Sequence, residues 1–224
     1  MSGRLSQAAG TVLVVDDDAS VRKALARLIQ SAGWQARTFA SAGEFLDHVP
    51  PAGPACLVLD VRMPGLSGLD LQAEMASRNL QTPIIFITGH GNVPMSVQAM
   101  KGGAVDFLIK PFKDQDLLGV IQEALQKDAR LQVDRAERAA IQGRLQTLTE
   151  REHEVLLQVV KGKMNKEIAD AFGVSEATVK VHRGRVMHKM QVCSVAELVQ
   201  AVAQVQAGGL LPDTRRTDGT TKGL

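Results

Sequence analysis

The sequence predicts an α/β domain built on a parallel sheet, followed by a smaller domain made only of helices. In the first half of the 224 residues, short β-branched or apolar runs alternate with helical patterns, which is typical of a parallel sheet covered by helices on both faces. Further along, strand patterns stop and capped amphipathic helices follow one another. The predicted divisions are residues 1–125, a helical linker 126–146, a helical domain 147–207 and a tail 208–224, whose composition predicts disorder.

Five strands and four helices are predicted to alternate in the first domain. The strands cover residues 11–15, 35–39, 55–60, 83–88 and 106–109. The helices cover residues 21–32, a short segment from 41 to about 50, 69–78 and 94–101. Ser20 and Gly33 suit the two ends of the first helix, and Ser41 with Glu44 matches a capping box for the second. The third strand is short, apolar and bounded by turn residues, which predicts burial on both faces.

Polar side chains stand at the carboxyl ends of four predicted strands. In chain order they are Asp16, Asp17, Asp60, Thr88 and Lys110. The carboxyl ends of parallel strands lie at one edge of the sheet, where open α/β sheets bind ligands, so we expect these groups to converge. Clustered carboxylates suit Mg²⁺ rather than zinc. A carboxylate can also attack a phosphoryl group, with a lysine and a hydroxyl stabilising the transferred oxygens.

Each of these residues also has a simpler interpretation. The first two acids could be solvated groups that interact with the dipole of the next helix, and for Asp18 this interpretation is preferred. Thr88 could be an ordinary strand-end hydroxyl, Phe107 a core residue and Lys110 a surface residue. Their joint occurrence at one sheet edge favours the functional interpretation.

The first domain resembles the receiver domain of two-component response regulators. The resemblance covers residues 11 to about 125 and is carried by VLVVDDD, LVLDVRMPG, PIIFITG and DFLIKPF, each at its place in the strand order. It implies a flavodoxin-like (βα)5 fold in which Asp60 accepts a phosphoryl group from a sensor histidine kinase. The implied ligands of Mg²⁺, or Mn²⁺, are Asp17, Asp60 and the backbone carbonyl of Arg62, with Asp16 acting through water.

The same resemblance implies a conformational switch. Thr88 and Lys110 would bind the phosphoryl oxygens, and Thr88 and Phe107 would then change conformation. Lys110 would precede a cis proline, Pro111, as it does in such receivers.

A long helix is predicted to leave the first domain. It begins at Asp114 and extends to about Gln142, where Gly143 weakens the helical pattern. Its apolar face fades after Leu131, and the segment from Lys127 to Arg144 is mostly charged, beginning with Asp128 and Arg130. A signalling or dimerising helix and a solvated, partly frayed linker both fit this pattern.

Four helices are predicted in the second domain. Residues 149–152 form a capping box for the first, Asn165 is expected to cap the second, and Ser175 caps the third. Residues 194–197 open the fourth in the same way. A short helix, a turn at Gly173 and a longer helix make a helix-turn-helix.

The helix behind Ser175 has two distinct faces. The residues expected to pack inward are Val179, His182, Val186 and Met190. The outer face holds Ala177, Lys180, Val181 and Gly184, flanked by Arg183, Arg185 and Lys189. A lone basic helix is usually a solvated face, but in a helix-turn-helix the positive charge suits the DNA backbone.

The second domain resembles the LuxR/FixJ type of DNA-binding domain over residues 147 to about 205. The resemblance is carried by LTEREHEVL, NKEIADAFGVSEATVKVHRGRVMHKM and SVAELV. It implies an all-α four-helix fold with a recognition helix within residues 174–189. The implied DNA contacts are Lys166 and Thr178 at phosphates, and Lys180, Val181, Arg183 and Arg185 at bases or backbone. Gly184 stands where a longer contacting side chain could have been.

The composition bears on the type of nucleic acid bound, on disulfides and on membrane association. A net charge of +2 does not by itself indicate a nucleic-acid partner, and one tryptophan with no tyrosine argues against a stacking surface for single strands. Two widely separated cysteines predict no disulfide framework, which is compatible with a cytoplasmic location. No apolar run approaches membrane-spanning length.

We therefore expect a phosphorylation-dependent transcriptional regulator. It would catalyse only its own phosphoryl transfer and dephosphorylation, with no bound organic cofactor. The expected partners are a sensor histidine kinase, double-stranded promoter DNA, a second copy of the chain after phosphorylation and possible contact with RNA polymerase. One rival is a phosphohydrolase of the haloacid-dehalogenase type, but Arg62 stands where that type carries a second acid. Another rival keeps the receiver and makes the helical domain a protein- or RNA-binding module.

Overall fold

The computed structural model describes residues 10–89 and 93–206. It divides the chain into two compact units after Val133. The tail that the sequence predicts to be disordered, 208–224, lies outside the described residues.

The first unit is an α/β fold on one parallel sheet, as predicted. Its elements are β1 (Thr11–Val15), α1 (Ala19–Ser31), β2 (Gln35–Phe39), α2 (Ala42–Leu46), β3 (Ala55–Asp60), α3 (Gly68–Ser77), β4 (Ile84–Thr88), α4 (Val93–Lys101), β5 (Asp106–Ile109) and the start of α5 (Asp114–Gln146). The strand order is β2-β1-β3-β4-β5, and every pairing is parallel. This order places β3, which ends in Asp60, at the centre of the sheet.

Two apolar layers hold the sheet between the helices. Alternate residues of the central strands face opposite sides, so that Leu57 and Leu59 join one layer while Cys56 and Val58 join the other. All six residues of β3 are buried. Burial on both faces explains why this strand is almost continuously apolar until its last residue.

The start of α1 differs from the sequence prediction. The N-cap is Asp18 rather than Ser20, because the Asp18 carboxylate accepts hydrogen bonds from the backbone N–H groups of Ser20 and Val21. The same bonds lower the pKa of Asp18. The preferred interpretation of Asp18 as a helix cap is therefore confirmed.

The fifth helix is longer than predicted and continues through Gly143 to Gln146. Its first part packs on the sheet through Leu117 and Ile121. Asp128, which the sequence placed in a charged linker, is 3 % exposed and accepts hydrogen bonds from the Ala55 N–H at 2.8 Å and from the Gln132 amide at 2.7 Å. The segment after residue 125 is therefore not uniformly solvated, because a carboxylate satisfies a backbone donor at the start of β3.

The second unit is all helical. Besides the end of α5 it contains α6 (Glu150–Val160), α7 (Asn165–Phe172), α8 (Glu176–Met190) and α9 (Val195–Gln206). The predicted capping box is present at Thr149 with Glu152, and Ser175 caps α8. At the start of α9, Ser194 Oγ accepts the Glu197 N–H, but the Glu197 carboxylate accepts the N–H of Cys193 and not that of Ser194, so the capping box is incomplete. Asn165, in contrast, is the first residue of α7 and not its cap, because Met164 occupies the N-cap position.

Candidate functional site

One ammonium joins the ends of three strands. The Lys110 Nζ, just after β5, donates to Asp16 Oδ2 at 2.8 Å and to Asp60 Oδ1 at 3.0 Å. Asp16 follows β1 and is 2 % exposed, and Asp60 ends β3 and is 6 % exposed. The convergence expected from the strand ends is therefore present for these three residues. Lys110 also precedes Pro111 through a cis peptide bond, as the receiver resemblance implied.

The Asp60 side chain is held from two directions. Its Oδ2 accepts the backbone N–H of Arg62 at 2.7 Å, while Oδ1 accepts from Lys110. Burial raises the pKa of Asp60, although the Lys110 ammonium and the Arg62 N–H act in the opposite direction. Burial also opposes the charge of Lys110, but its bonds to the two carboxylates outweigh this and raise the pKa of Lys110. The lysine therefore stays protonated at neutral pH.

Gly68 supports this arrangement, and the sequence reasoning missed it. A Cβ built on Gly68 would lie 2.3 Å from the backbone oxygen of Asp60, and the Gly68 N–H donates to the carbonyl of Val61 at 3.0 Å. Only glycine allows α3 to begin so close to the residue that ends β3. The only available sequence signal was a glycine directly after the helix-capping Ser67.

Asp17 does not join the cluster of Asp16, Asp60 and Lys110. It is exposed, and its backbone carbonyl, with that of Asp16, accepts hydrogen bonds from the Arg22 guanidinium at 2.9 and 2.7 Å. Arg22 was also missed, and it fixes the loop that carries both acids.

Two of the predicted metal ligands, Asp16 and Asp60, belong to this cluster. Within residues 10–89 and 93–206, no group of three His, Cys, Asp or Glu side chains is placed to hold a metal ion. Two carboxylates nevertheless meet at one point, and Mg²⁺ commonly uses one or two carboxylates together with waters and phosphoryl oxygens. The donor chemistry of Asp16 and Asp60 therefore fits Mg²⁺, and the exposed Asp17 remains the third predicted carboxylate.

The two predicted switch residues lie beside this cluster. Thr88 ends β4 and is 1 % exposed, next to Ile109 in the register of β4 and β5. Phe107 is half-buried, and its ring centroid lies 6.2 Å from that of Phe86. Thr88 thus stands at the end of the strand that neighbours β3, and Phe107 lies on the following strand with a partly exposed ring. Their role as a switch stays a prediction.

In the second unit, α7 and α8 form the predicted helix-turn-helix. The turn depends on Gly173, whose φ of 64° lies in the left-handed region that glycine favours. The predicted DNA contacts that are exposed are Lys166, Thr178, Lys180, Val181 and Arg185. The buried side of α8 consists of Val179, Val186 and Met190. His182 is half-buried, and its Nδ1 has no hydrogen-bond partner in the described part of the chain.

Two cations expected on the outer face are engaged within the unit. Arg183 Nη1 donates to Asn165 Oδ1 at 3.0 Å, which links α8 to the start of α7. Lys189 Nζ lies 2.6 Å from an oxygen of Glu152 and 2.9 Å from the carbonyl of Thr147. The assignment of Lys189 to a solvent-facing cationic surface was therefore wrong, because its ammonium neutralises a buried carboxylate.

Comparisons with known proteins match both domains. Residues 12–122 match the family described as "Response regulator receiver domain", and residues 146–202 match "Bacterial regulatory proteins, luxR family". The chain belongs to the LuxR-type response regulators. It is 49 % identical to "Nodulation protein W" of Bradyrhizobium diazoefficiens over 84 % of this chain and 83 % of that protein.

Two further relatives support membership in the response regulators. The chain is 41 % identical to "Transcriptional regulatory protein FixJ" of the same organism over 91 % of this chain and 98 % of that protein. The structure of the response regulator StyR aligns with a TM-score of 0.78 at 47 % identity, covering 88 % of this chain and all of that chain. The regulator thus belongs to a family of transcriptional regulators and not of classical enzymes. Its receiver domain implies a kinase as phosphodonor, and its helix-turn-helix domain implies DNA binding.

Within residues 10–89 and 93–206, no helix combines the length and the hydropathy needed to cross a bilayer.

Proposed function

We propose that Asp60 is the residue that accepts the phosphoryl group and that its phosphorylation controls DNA binding by α8. The observation that carries the proposal is the Lys110 ammonium, which bonds both Asp60 and Asp16 at one edge of the sheet. A carboxylate held in this way can attack phosphorus, while a fixed positive charge compensates the incoming phosphoryl oxygens.

The transfer itself requires little from the protein beyond positioning. An Asp60 oxygen forms the new O–P bond as the bond from phosphorus to the kinase histidine nitrogen breaks, and the nitrogen keeps the bonding electrons. A bound Mg²⁺ would neutralise charge on the transferring oxygens. Asp17, Asp60 and the backbone carbonyl of Arg62 would hold it, with Asp16 acting through water. Hydrolysis of the acyl phosphate at the same site would reset the regulator.

The switch would act through the residues beside Asp60. Phosphorylation adds about one negative charge and new acceptor oxygens. Thr88 could donate its hydroxyl to one of them and Lys110 its ammonium to another, which would change the packing of Phe107. Because this is a shift between two populated states, the unphosphorylated regulator would retain some activity.

The output would be binding to promoter DNA in the cytoplasm by a dimer that forms after phosphorylation. Two copies of α8 would enter major grooves at paired half-sites, with contact to RNA polymerase as a further step. The exposed residues that would meet phosphates or bases are Lys166, Thr178, Lys180, Val181 and Arg185. Arg183 would contribute from its position against Asn165.

Sedimentation and DNA binding of the full chain, with Mg²⁺ and a small phosphodonor, test this proposal. Wild type should dimerise and bind more tightly with the donor, whereas Asp60→Asn should not respond. Asp47→Asn, an exposed acid at the end of α2, provides the matched control and should respond like wild type. Equal DNA binding with and without donor in wild type would exclude phosphorylation control but leave the helix-turn-helix in place.

A further inference from the structure

Gly184 lies on the exposed face of the recognition helix. It is four residues after Lys180 and three after Val181, and both of these side chains are exposed. Residues at these spacings lie next to one another on a helix surface. At Gly184 the helix backbone is therefore exposed without a side chain, beside the two side chains that are best placed to contact DNA.

Nothing within the described chain requires glycine at this position. Gly184 does not adopt a left-handed φ, and a Cβ built on it would meet no atom within 4 Å. It differs from Gly173, which needs its positive φ, and from Gly68, which needs its close contact. A helix with glycine in its interior is less stable than the same helix with alanine. Gly184 therefore lowers the stability of α8, and no contact within the described chain explains its presence.

We propose that Gly184 determines DNA specificity by allowing DNA to approach the backbone of α8 closely. Glycine serves generally where a backbone must come close to a ligand. Without a side chain at residue 184, Lys180 and Val181 can reach base edges that a bulkier neighbour would hold away. This inference rests on the proposed DNA binding, and it adds that one base step is selected by shape and not by a contacting side chain.

Gly143 provides a matched control. It lies within α5, is exposed, and a Cβ there would also meet no atom within 4 Å. The variants are Gly184→Ala, Gly184→Leu, Gly143→Ala and Gly143→Leu in the full chain. The probes are a duplex selected by wild type from random double-stranded oligonucleotides and an unrelated duplex of the same length.

Both alanine variants should unfold at the wild-type temperature or above it, because alanine favours a helix. Gly184→Ala should lose about tenfold in affinity for the selected duplex, the usual size of one lost base contact, and Gly184→Leu should lose more. Affinity for the unrelated duplex should change little, since phosphate contacts dominate it. The Gly143 variants should bind both duplexes like wild type.

Two different failures can be distinguished. If the Gly184 variants bind the selected duplex as tightly as wild type, or if the Gly143 variants lose as much affinity, the close approach is refuted while DNA binding stands. If wild type selects no duplex from the pool, the proposed function fails and the inference fails with it.

Discussion

The Lys189 ammonium lies 2.6 Å from a carboxylate oxygen of Glu152, a residue that is 2 % exposed. The two residues are 37 positions apart in sequence, so their ion pair joins α8 to the first turn of α6. Glu152 also accepts the N–H of Thr149, which makes it both a helix cap and a buried counter-ion. Lys189 therefore ties α8 to α6 within the second unit.

Replacing Lys189 with methionine should destabilise the second unit. The Glu152 carboxylate would lose its ammonium partner, and because the Lys189 side chain is 31 % exposed and screened by solvent, the loss should cost about 1 kcal/mol. Hydrogen exchange of α6 and α8 amides at increasing urea measures the change. Lys180→Met removes an exposed lysine from the same helix and should leave the exchange unchanged. Equal urea resistance of Lys189→Met and wild type would contradict the proposed role of the pair.

The same pair predicts how stability depends on pH. The Lys189 hydrogen bond, followed by the Thr149 N–H, lowers the pKa of Glu152 from its ordinary 4.5 to about 2. A carboxyl group whose pKa is lowered by folding stabilises the native state above its unfolded pKa. This contribution should be present above pH 4.5 and be lost as the pH falls toward 2. Urea unfolding across this range should show a shallower pH dependence in Glu152→Gln, and an unchanged slope would refute the assignment.

Lys110→Met should slow phosphorylation of Asp60. Without the ammonium, Asp16 and Asp60 face each other uncompensated, so the pKa of Asp60, already raised by burial, should rise further. The loss of one fixed charge at the reacting oxygens should reduce the rate by about 100-fold. Intact-protein mass spectrometry with phosphoramidate measures the rate. Lys113→Met, at a nearby exposed lysine, should react like wild type.

Lys180→Ala should weaken DNA binding without affecting folding. If its ammonium contacts a phosphate, the slope of log affinity against log salt should fall by about one. Fluorescence anisotropy at several salt concentrations measures this slope. Lys127→Ala in α5 removes an equally exposed lysine outside the helix-turn-helix and should leave the slope unchanged. Unchanged binding by Lys180→Ala would remove this residue from the interface.

Arg183→Ala should also weaken DNA binding, and Asn165→Ala identifies the reason. Arg183 is held by Asn165 at 3.0 Å, so the amide fixes the direction of the guanidinium. If this preorganisation matters, Asn165→Ala should lose part of the affinity that Arg183→Ala loses, because the freed side chain must be ordered on binding. The same anisotropy assay measures both losses of affinity. If Arg183→Ala loses less affinity than Asn165→Ala, Asn165 does not act by orienting Arg183.

Much of the fold and part of the site could be predicted because local patterns encode them. The continuous apolar runs of β3 and its neighbours follow from burial on both faces of the sheet, and capping residues such as Ser175 act within a few residues of themselves. The convergence of Asp16, Asp60 and Lys110 also follows from sequence, because the carboxyl ends of parallel strands share one edge.

The sequence by itself thus determined the class of each domain, the order of the elements and the strand-end residues that meet around Asp60. Only the tertiary structure decided what individual charged residues do. Asp128 binds the start of β3, Lys189 neutralises Glu152, and Arg183 bonds Asn165. The physical reason is that a charge is satisfied by whichever group folding brings within hydrogen-bond distance. These partners lie 18 to 73 residues apart in the sequence, farther than any periodicity or capping rule extends.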